Sequence, residues 1–258
     1  MGAVPPAPRA GRCCTAVTTG QDERGSEPTT GTSAVSATDE VLVARIRAAE
    51  ALRRLGHAVV GHDADPALLD RVAEAANATA AMVEKGERRS RPIESIKRRL
   101  WEAPPADGGP MSHFEECVVS GAANPMGIAI RVRREELDAV ADFNLGAAFE
   151  GAPQRAHGGI VAAIFDDVMG YVLVLHRLPA FTGRLTVHYR APVPMAVDMT
   201  VRARLSHRSG RKLFLTAEMR LADDPQHPVI GEAEGLFVAI PPERLGLFTH
   251  GDDGPGAA

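Results

Sequence analysis

The sequence predicts an α+β fold in which an antiparallel sheet is wrapped around one central buried helix. Residues 157–176 read HGGIVAAIFDDVMGYVLVLH, and only Asp166 and Asp167 interrupt this apolar run. A helix that is apolar on most faces is covered by protein on more than one side. Four strand-like segments with short connections follow it, so they should pair antiparallel and hold the helix against one face of their sheet.

The strand-like segments begin at residue 115, where the apolar period changes from helical to two. In DMTVRARLSH the apolar residues Met199, Val201, Ala203 and Leu205 alternate with polar ones, which predicts one wet face. Gly210 predicts a hairpin turn between this strand and the next. The predicted strands are ECVVS and GIAIRVR before the helix, then LTVHYRAP, DMTVRARLSH, KLFLTAEMRLA and VIGEAEGLFVAI after it.

The 258 residues divide into four predicted regions. Residues 1–37 form a disordered leader with almost nothing to bury, because small polar residues, Gly and Pro dominate it. Its start lacks the apolar core of a secretory signal, although Arg without acids also fits a transit peptide. Residues 38–110 form a helical extension and linker, residues 111–240 the α+β domain, and residues 241–258 an irregular tail. In the extension, Thr38 should cap one helix, and Asp65-Pro66 should begin another that ends near Gly86.

Composition excludes several classes of function. The net charge of −4 provides no basic field, so nucleic acid is not an expected partner. The apolar run after His157 is too short and too interrupted to predict a membrane span. Cys13, Cys14 and Cys117 lack the spacing of a metal site or a disulfide framework, which favours a reducing cytoplasm. The histidines are scattered, so no metal site is predicted. The sequence contains no glycine-rich phosphate-binding loop, so no cofactor is expected.

The start of the buried helix is where chemistry is expected. Gly158 and Gly159 leave backbone N–H groups open to close approach by a ligand oxygen, and the helix dipole adds positive potential there. This suits the oxyanion that forms when a carbonyl is attacked, whereas the simpler interpretation is a tight strand-to-helix turn. Further along the helix, Asp166 and Asp167 are costly to bury unless they are paired or used.

The segment FEGAPQRAHGGIVAAIFDDVMG and the order of elements resemble the hotdog-fold acyl-CoA thioesterases of the PaaI and thioesterase-superfamily-member type. The resemblance covers roughly residues 115–240 and leaves out the helical extension. It implies a catalytic acid at Asp166, nine residues after His157, and a water-orienting hydroxyl at Thr182, counted back from the Tyr-Arg-Ala-Pro end of the next strand. It also implies a homodimer or dimer of dimers, with each site between two subunits.

The expected activity is therefore hydrolysis of an acyl-CoA to free acid and CoA. Asp166 would act as general base or as nucleophile, and Asp167 would pair with a basic group or support helix packing. Gly158 and Gly159 would hold the oxyanion, and His157 would fix the turn through its ring or act as base. Cations should bind the CoA phosphates; the candidates are Arg184, Arg190, Arg211 and Lys212.

The sequence leaves one other function open and disfavours another. A hotdog dimer can bind acyl-CoA without turnover and act as a sensor or regulator, in which case the N-terminal helices would be a partner-binding unit. A hotdog hydratase is disfavoured, because its expected Asp/His pair on one loop and helix is absent. The acyl group stays undefined, since Ile160, Ile164, Phe165 and Met169 accommodate aliphatic and aromatic acids alike.

Overall fold

The structure, a computed structural model, describes residues 37–90, 103–112, 114–222 and 228–241. The predicted leader and tail therefore lie outside the described residues, apart from one residue at the inner end of each. Part of the predicted linker, residues 91–102, also lies outside them.

The described part of the N-terminal extension contains two helices, as predicted: α1 (Ala37–Gly61) and α2 (Pro66–Val83). The cap of α2 is confirmed, because the Asp65 carboxylate accepts the N–H of Leu68 at 3.0 Å and Pro66 takes the first helical position. Thr38 is not the cap of α1, since that helix begins one residue earlier. All residues of α2 are described and none is buried, so this helix adds little to the core.

In the described part of the chain, seven strands form one sheet in the order β1-β2-β3-β5-β6-β7-β4, with every neighbouring pair antiparallel. The strands are β1 (Pro110–Met111), β2 (Arg131–Glu135), β3 (Asp138–Asn144), β4 (Ala180–Tyr189), β5 (Asp198–Ser209), β6 (Lys212–Leu221) and β7 (Gly231–Ala239). A short 3-10 helix (Ala147–Phe149) and the central helix α3 (Gly158–Leu175) lie between β3 and β4.

Helix α3 packs against this sheet, which confirms the predicted fold class. It contacts β3, β4, β5, β6 and β7. Its buried residues join the core contributed by the sheet; they are Val161, Ile164, Phe165, Val168, Met169, Tyr171, Val172, Leu173 and Leu175. Among the described residues, α3 is the one helix that is long and apolar enough to cross a membrane. Half of its 18 residues are buried inside the fold.

The region before α3 differs from the prediction. The ECVVS segment forms consecutive turns, because Gly121 folds back onto Cys117, where any Cβ would lie 2.3 Å from the Cys117 nitrogen. The strand predicted from GIAIRVR begins only at Arg131. Its hairpin partner β3 was missed, because the alternating pattern is hidden by three consecutive buried residues, Ala139 to Ala141.

The strands after α3 follow the prediction. Gly210 makes the β5–β6 turn with φ +58°, a left-handed conformation that favours glycine. Strand β4 bonds to β7 along one edge, and no described strand pairs with its other edge. The register slips at Gly183, where a bulge lies between Thr182 and Arg184. An open edge strand is a ready template for pairing with another chain.

Candidate active site

The first turn of α3 leaves one backbone donor open. An α-helix begins with four N–H groups that have no partner within the helix. Here the His157 carbonyl accepts from Ile160 at 2.9 Å and from Val161 at 3.2 Å, and the His157 ring Nδ1 accepts from Gly159 at 3.0 Å. Among the described residues, no acceptor is assigned to the N–H of Gly158. The ring of His157 thus caps the helix, and the open donor belongs to Gly158.

Tyr189, the last residue of β4, fixes this turn from the sheet side. Its hydroxyl donates to the Gly158 carbonyl at 2.8 Å, 31 residues away in the sequence. A Cβ on Gly158 would lie 3.3 Å from that hydroxyl oxygen, so glycine permits the close approach. In the sequence, Tyr189 stands out only as the first residue of the Tyr-Arg-Ala-Pro segment. No local pattern indicates which backbone group its hydroxyl reaches.

The structure brings Asp166 and Thr182 together. The Thr182 hydroxyl donates to Asp166 Oδ1 at 2.8 Å, and β4 carries Thr182 near its start. This bond holds one carboxylate oxygen in place, so the other oxygen is free to bind a water or a substrate. A carboxylate beside an ordered hydroxyl is an arrangement suited to general base catalysis.

Asp167 points to a different side of α3, into the fold. The Cys117 thiol donates to its Oδ1 at 3.2 Å. The Ser120 hydroxyl lies near the same carboxylate, although neither this hydroxyl nor Asp167 Oδ2 makes a hydrogen bond of good geometry. Burial, aided by the charge of Asp166, raises the pKa of Asp167, while Ser120 and Cys117 oppose that rise. Asp167 therefore supports packing with a thiol partner, rather than pairing with a basic group.

Asp167→Asn should stabilise the fold in a pH-dependent way. Because the pKa of Asp167 is raised on folding, the unfolded chain ionises first as pH rises above 3.8, and stability falls across that window. The neutral amide avoids this loss. The Tm of Asp167→Asn should exceed the wild-type value at pH 7.5, and the gain should vanish near pH 4. A lower Tm at pH 7.5 would show instead that the charged form is the stabilising one.

A cavity of about 460 Å³ opens beside the start of α3. This volume is within the range of about 300–1,000 Å³ that is usual for small-molecule sites. Its walls include His157, Gly158, Tyr189 and two arginines, Arg155 and Arg190. The guanidinium of Arg155 has no carboxylate partner within the described part of the chain, whereas Arg190 binds Glu232 at 2.6 Å. Arg155 was missed from the sequence, because an exposed Arg before HGG carries no distinguishing pattern.

The four predicted phosphate-binding cations do not form one cluster. Arg190 lines the cavity at the end of β4. Arg211 and Lys212 lie at the opposite end of the sheet, where Lys212 pairs with Val238 of β7, beside the start of β4. Arg184 is exposed on β4 itself. Within one chain the cations therefore divide between the two ends of the α3–β4 unit.

The two halves of the predicted chemistry are likewise separated. Gly158 and Asp166 are eight residues apart on one rigid helix, which corresponds to about 12 Å along its axis. An oxyanion donor and an attacking group must each lie about 3 Å from the same reacting centre. One chain cannot meet this requirement with its own Gly158 and Asp166.

Comparisons with known proteins agree with this fold. Residues 154–226 match the family model described as Thioesterase superfamily. The chain is similar to "Acyl-coenzyme A thioesterase THEM4" of Bos taurus, at 30% identity over 110 residues, covering 43% of this chain and 44% of that protein. The Xenopus laevis protein of the same name is 31% identical over 100 residues, covering 39% and 44%. The chain thus spans less than half the length of these curated relatives.

A solved structure extends the likeness over more of the chain. "Crystal structure of protein RHA08564, thioesterase superfamily protein" has a TM-score of 0.64 and 25% identity, covering 75% of this chain and 90% of that one. Sheet, central helix and helix-start cavity together define a hotdog-fold protein. Within that fold, residues 154–226 are the part that matches the thioesterase superfamily model.

Proposed function

We propose that the chain hydrolyses acyl-CoA thioesters: R–CO–S–CoA and water give R–COOH and HS–CoA. The observation that carries the proposal is the pair of groups on α3, an open N–H at Gly158 and a carboxylate at Asp166 held by Thr182. The names of the curated relatives support an acyl-CoA substrate. In this reaction Asp166 takes a proton from water, the hydroxide attacks the thioester carbon, and the Gly158 N–H binds the resulting oxyanion. Collapse of that intermediate breaks the C–S bond, and the proton held by Asp166 passes to the departing sulfur, which gives HS–CoA and restores the carboxylate.

Homodimerisation is part of the same proposal. The Gly158 and Asp166 of one chain are separated by about 12 Å along α3, and a second chain can supply the group that is missing from each site. In an antiparallel pairing of two β4 edges, the start of one strand lies beside the end of the other. Thr182 is near the start and binds Asp166, while Tyr189 is at the end and binds Gly158. Pairing centred near the middle of β4 would therefore place Asp166 of one protomer beside the partner's Gly158.

The surface of β4 supports this pairing. Phe181 and Tyr189 expose 68% and 53% of their surface, which is unusual for large aromatic residues at an unpaired edge. The same pairing would bring Arg211 and Lys212 of one protomer toward the cavity that Arg190 and Arg155 line in the partner. That would assemble these four cations, three of the predicted ones together with Arg155, around one CoA binding site.

A mixed dimer tests activity and assembly together. Two inactive variants, Asp166→Asn and Gly158→Pro, should be co-expressed with different tags and purified through both. Under the proposed arrangement each mixed dimer has one intact site, so thiol release should recover to about half of the wild-type rate. Sites contained in one chain would give no recovery. Each variant alone, purified in the same way, is the control.

A panel of short, long and aromatic acyl-CoAs, followed with a colorimetric thiol reagent, tests the reaction itself. Release from at least one substrate supports the proposal and ranks the acyl groups. If acyl-CoA binds in a calorimeter while the wild type releases no thiol from any substrate, the proposal fails and the chain is a sensor or regulator. Light scattering at micromolar concentration tests the dimer separately.

We also propose a cytoplasmic location. Cys117 is a free thiol that hydrogen-bonds Asp167, a state maintained in a reducing compartment. Fractionation of cells that express the full chain would check it, and recovery in an oxidising compartment would contradict it.

A further inference from the structure

The last turns of α1 lie directly on the segment that leads to the candidate active site. The His57 ring Nδ1 accepts the N–H of Ala148 at 3.1 Å, and the ring packs edge-on against Phe149 with 5.1 Å between centroids. The contact is close: a Cβ on Gly146 would lie 2.7 Å from His57 Nδ1, and a Cβ on Gly61 would lie 3.0 Å from the Cβ of Ala147. Burial, together with the charge of Arg53, lowers the pKa of His57, so the ring is neutral near pH 7 and its Nδ1 can accept.

This segment is bonded in turn to the start of α3. The carbonyl of Phe149 accepts the N–H of His157 at 2.9 Å, and Glu150 and Ala156 form a bridge across the intervening loop. Gly151 lies so close that an added Cβ would be 2.8 Å from the His157 Cα. A rigid path thus runs from His57 through Phe149 to His157, the residue that caps α3 and precedes Gly158.

A second anchor holds α1 to the other side of the site. Arg53 donates to the carbonyls of Ala122 and Asn124 at 2.9 and 2.7 Å. Those residues belong to the turns after Cys117, whose thiol binds Asp167 next to Asp166. The segment before α3 and the turns that contact α3 through Cys117 are therefore both bonded to α1. The two anchoring residues, Arg53 and His57, lie four residues apart on that helix.

We propose that His57 is a positioning residue: through Ala148 and Phe149 it sets the backbone at His157 and Gly158, and so aims the oxyanion donor. The extension then works as part of the enzyme. This inference rests on the proposed function, since it assigns a role at the same site. It concerns residues outside the part that matches the thioesterase superfamily, residues 154–226.

His57→Leu removes the acceptor at similar size, while His57→Asn places an amide oxygen near the Nδ1 position and can accept the same N–H. Because small displacements of a catalytic donor cost up to about 10²-fold, we expect His57→Leu to lower kcat about tenfold or more with KM changed less than about twofold. His57→Asn should restore most of kcat. His62→Leu, just beyond the same helix and exposed, is the matched control and should behave as wild type.

Equal kcat for His57→Leu and wild type, or equal loss in the Leu and Asn variants, would overturn the proposal. If His57→Leu does not fold, His57→Gln replaces it, because that longer side chain carries its amide away from the Nδ1 position. A fall in Tm with kcat unchanged would show a structural contact only.

Amide hydrogen exchange gives a readout that does not need activity. In His57→Leu, peptides covering residues 146–159 should exchange faster than in the wild type, and in His57→Asn they should not. Unchanged exchange in the Leu variant would overturn the positioning role. If the wild type releases no thiol but this exchange pattern is found, the proposed hydrolysis fails while the coupling between α1 and α3 stands.

Discussion

Replacing Asp166 by Asn is expected to lower kcat for thiol release by roughly 10²–10⁴-fold, the usual contribution of a general base. The amide cannot take a proton from water, but its oxygen can still accept the Thr182 hydroxyl, which donates to Asp166 Oδ1 at 2.8 Å. The local structure should therefore survive, and Tm and acyl-CoA affinity should stay near the wild-type values. The colorimetric thiol assay, run on the best substrate of the panel, measures the loss.

Asp167→Asn is the matched control for this experiment. It makes the same chemical change one residue along α3, on a side chain that faces Cys117 instead of Thr182. It should keep most of the activity. A wild-type rate in Asp166→Asn, or a larger loss in Asp167→Asn, would move the base away from Asp166.

The second large effect is expected from Gly158→Pro, which deletes the open backbone donor. Proline is favoured at the first position of a helix, and His157 already has the extended backbone (φ −64°, ψ 128°) that a residue before proline adopts. The helix should therefore form as before, while the oxyanion loses its N–H. Loss of one such donor typically lowers kcat by roughly 10²–10³-fold.

Gly158→Ala separates loss of the donor from crowding. It keeps the N–H and adds a Cβ at 3.3 Å from the Tyr189 hydroxyl oxygen, where a shift of a few tenths of an ångström suffices. Its kcat should stay within about tenfold of the wild type. If Ala and Pro lower kcat equally, crowding explains the effect and the Gly158 N–H is not the donor.

The sequence predicted the parts of the fold that depend on local pattern. The apolar run of α3, the alternation in β5 and the turn at Gly210 each specify their structure within a few residues, and all three are confirmed. The turns at Cys117 to Ser120 were mistaken for a strand, because β-branched residues dominate there while the glycine that folds them back, Gly121, lies just outside the segment.

The site was predicted less completely, because its contacts join distant parts of the chain. The spacing of His157 and Asp166 along one helix is visible in the sequence, but their catalytic roles stay predictions. The contact of Tyr189 with Gly158 and that of His57 with Ala148 span 31 and 91 residues. Only the packing of α3 against β4, and of α1 against the 3-10 helix before α3, brings these residues together.

The spacing of Gly158 and Asp166 has a kinetic consequence under the proposed arrangement. No side-chain motion within one protomer closes a gap of about 12 Å on a single rigid helix, so a dissociated subunit has no complete site. Specific activity is then governed by mass action: it stays constant while the protein is concentrated and falls on dilution below the dissociation constant of the dimer. The concentration of the protein in the cell would thus determine the fraction of subunits in the active dimer, without any effector.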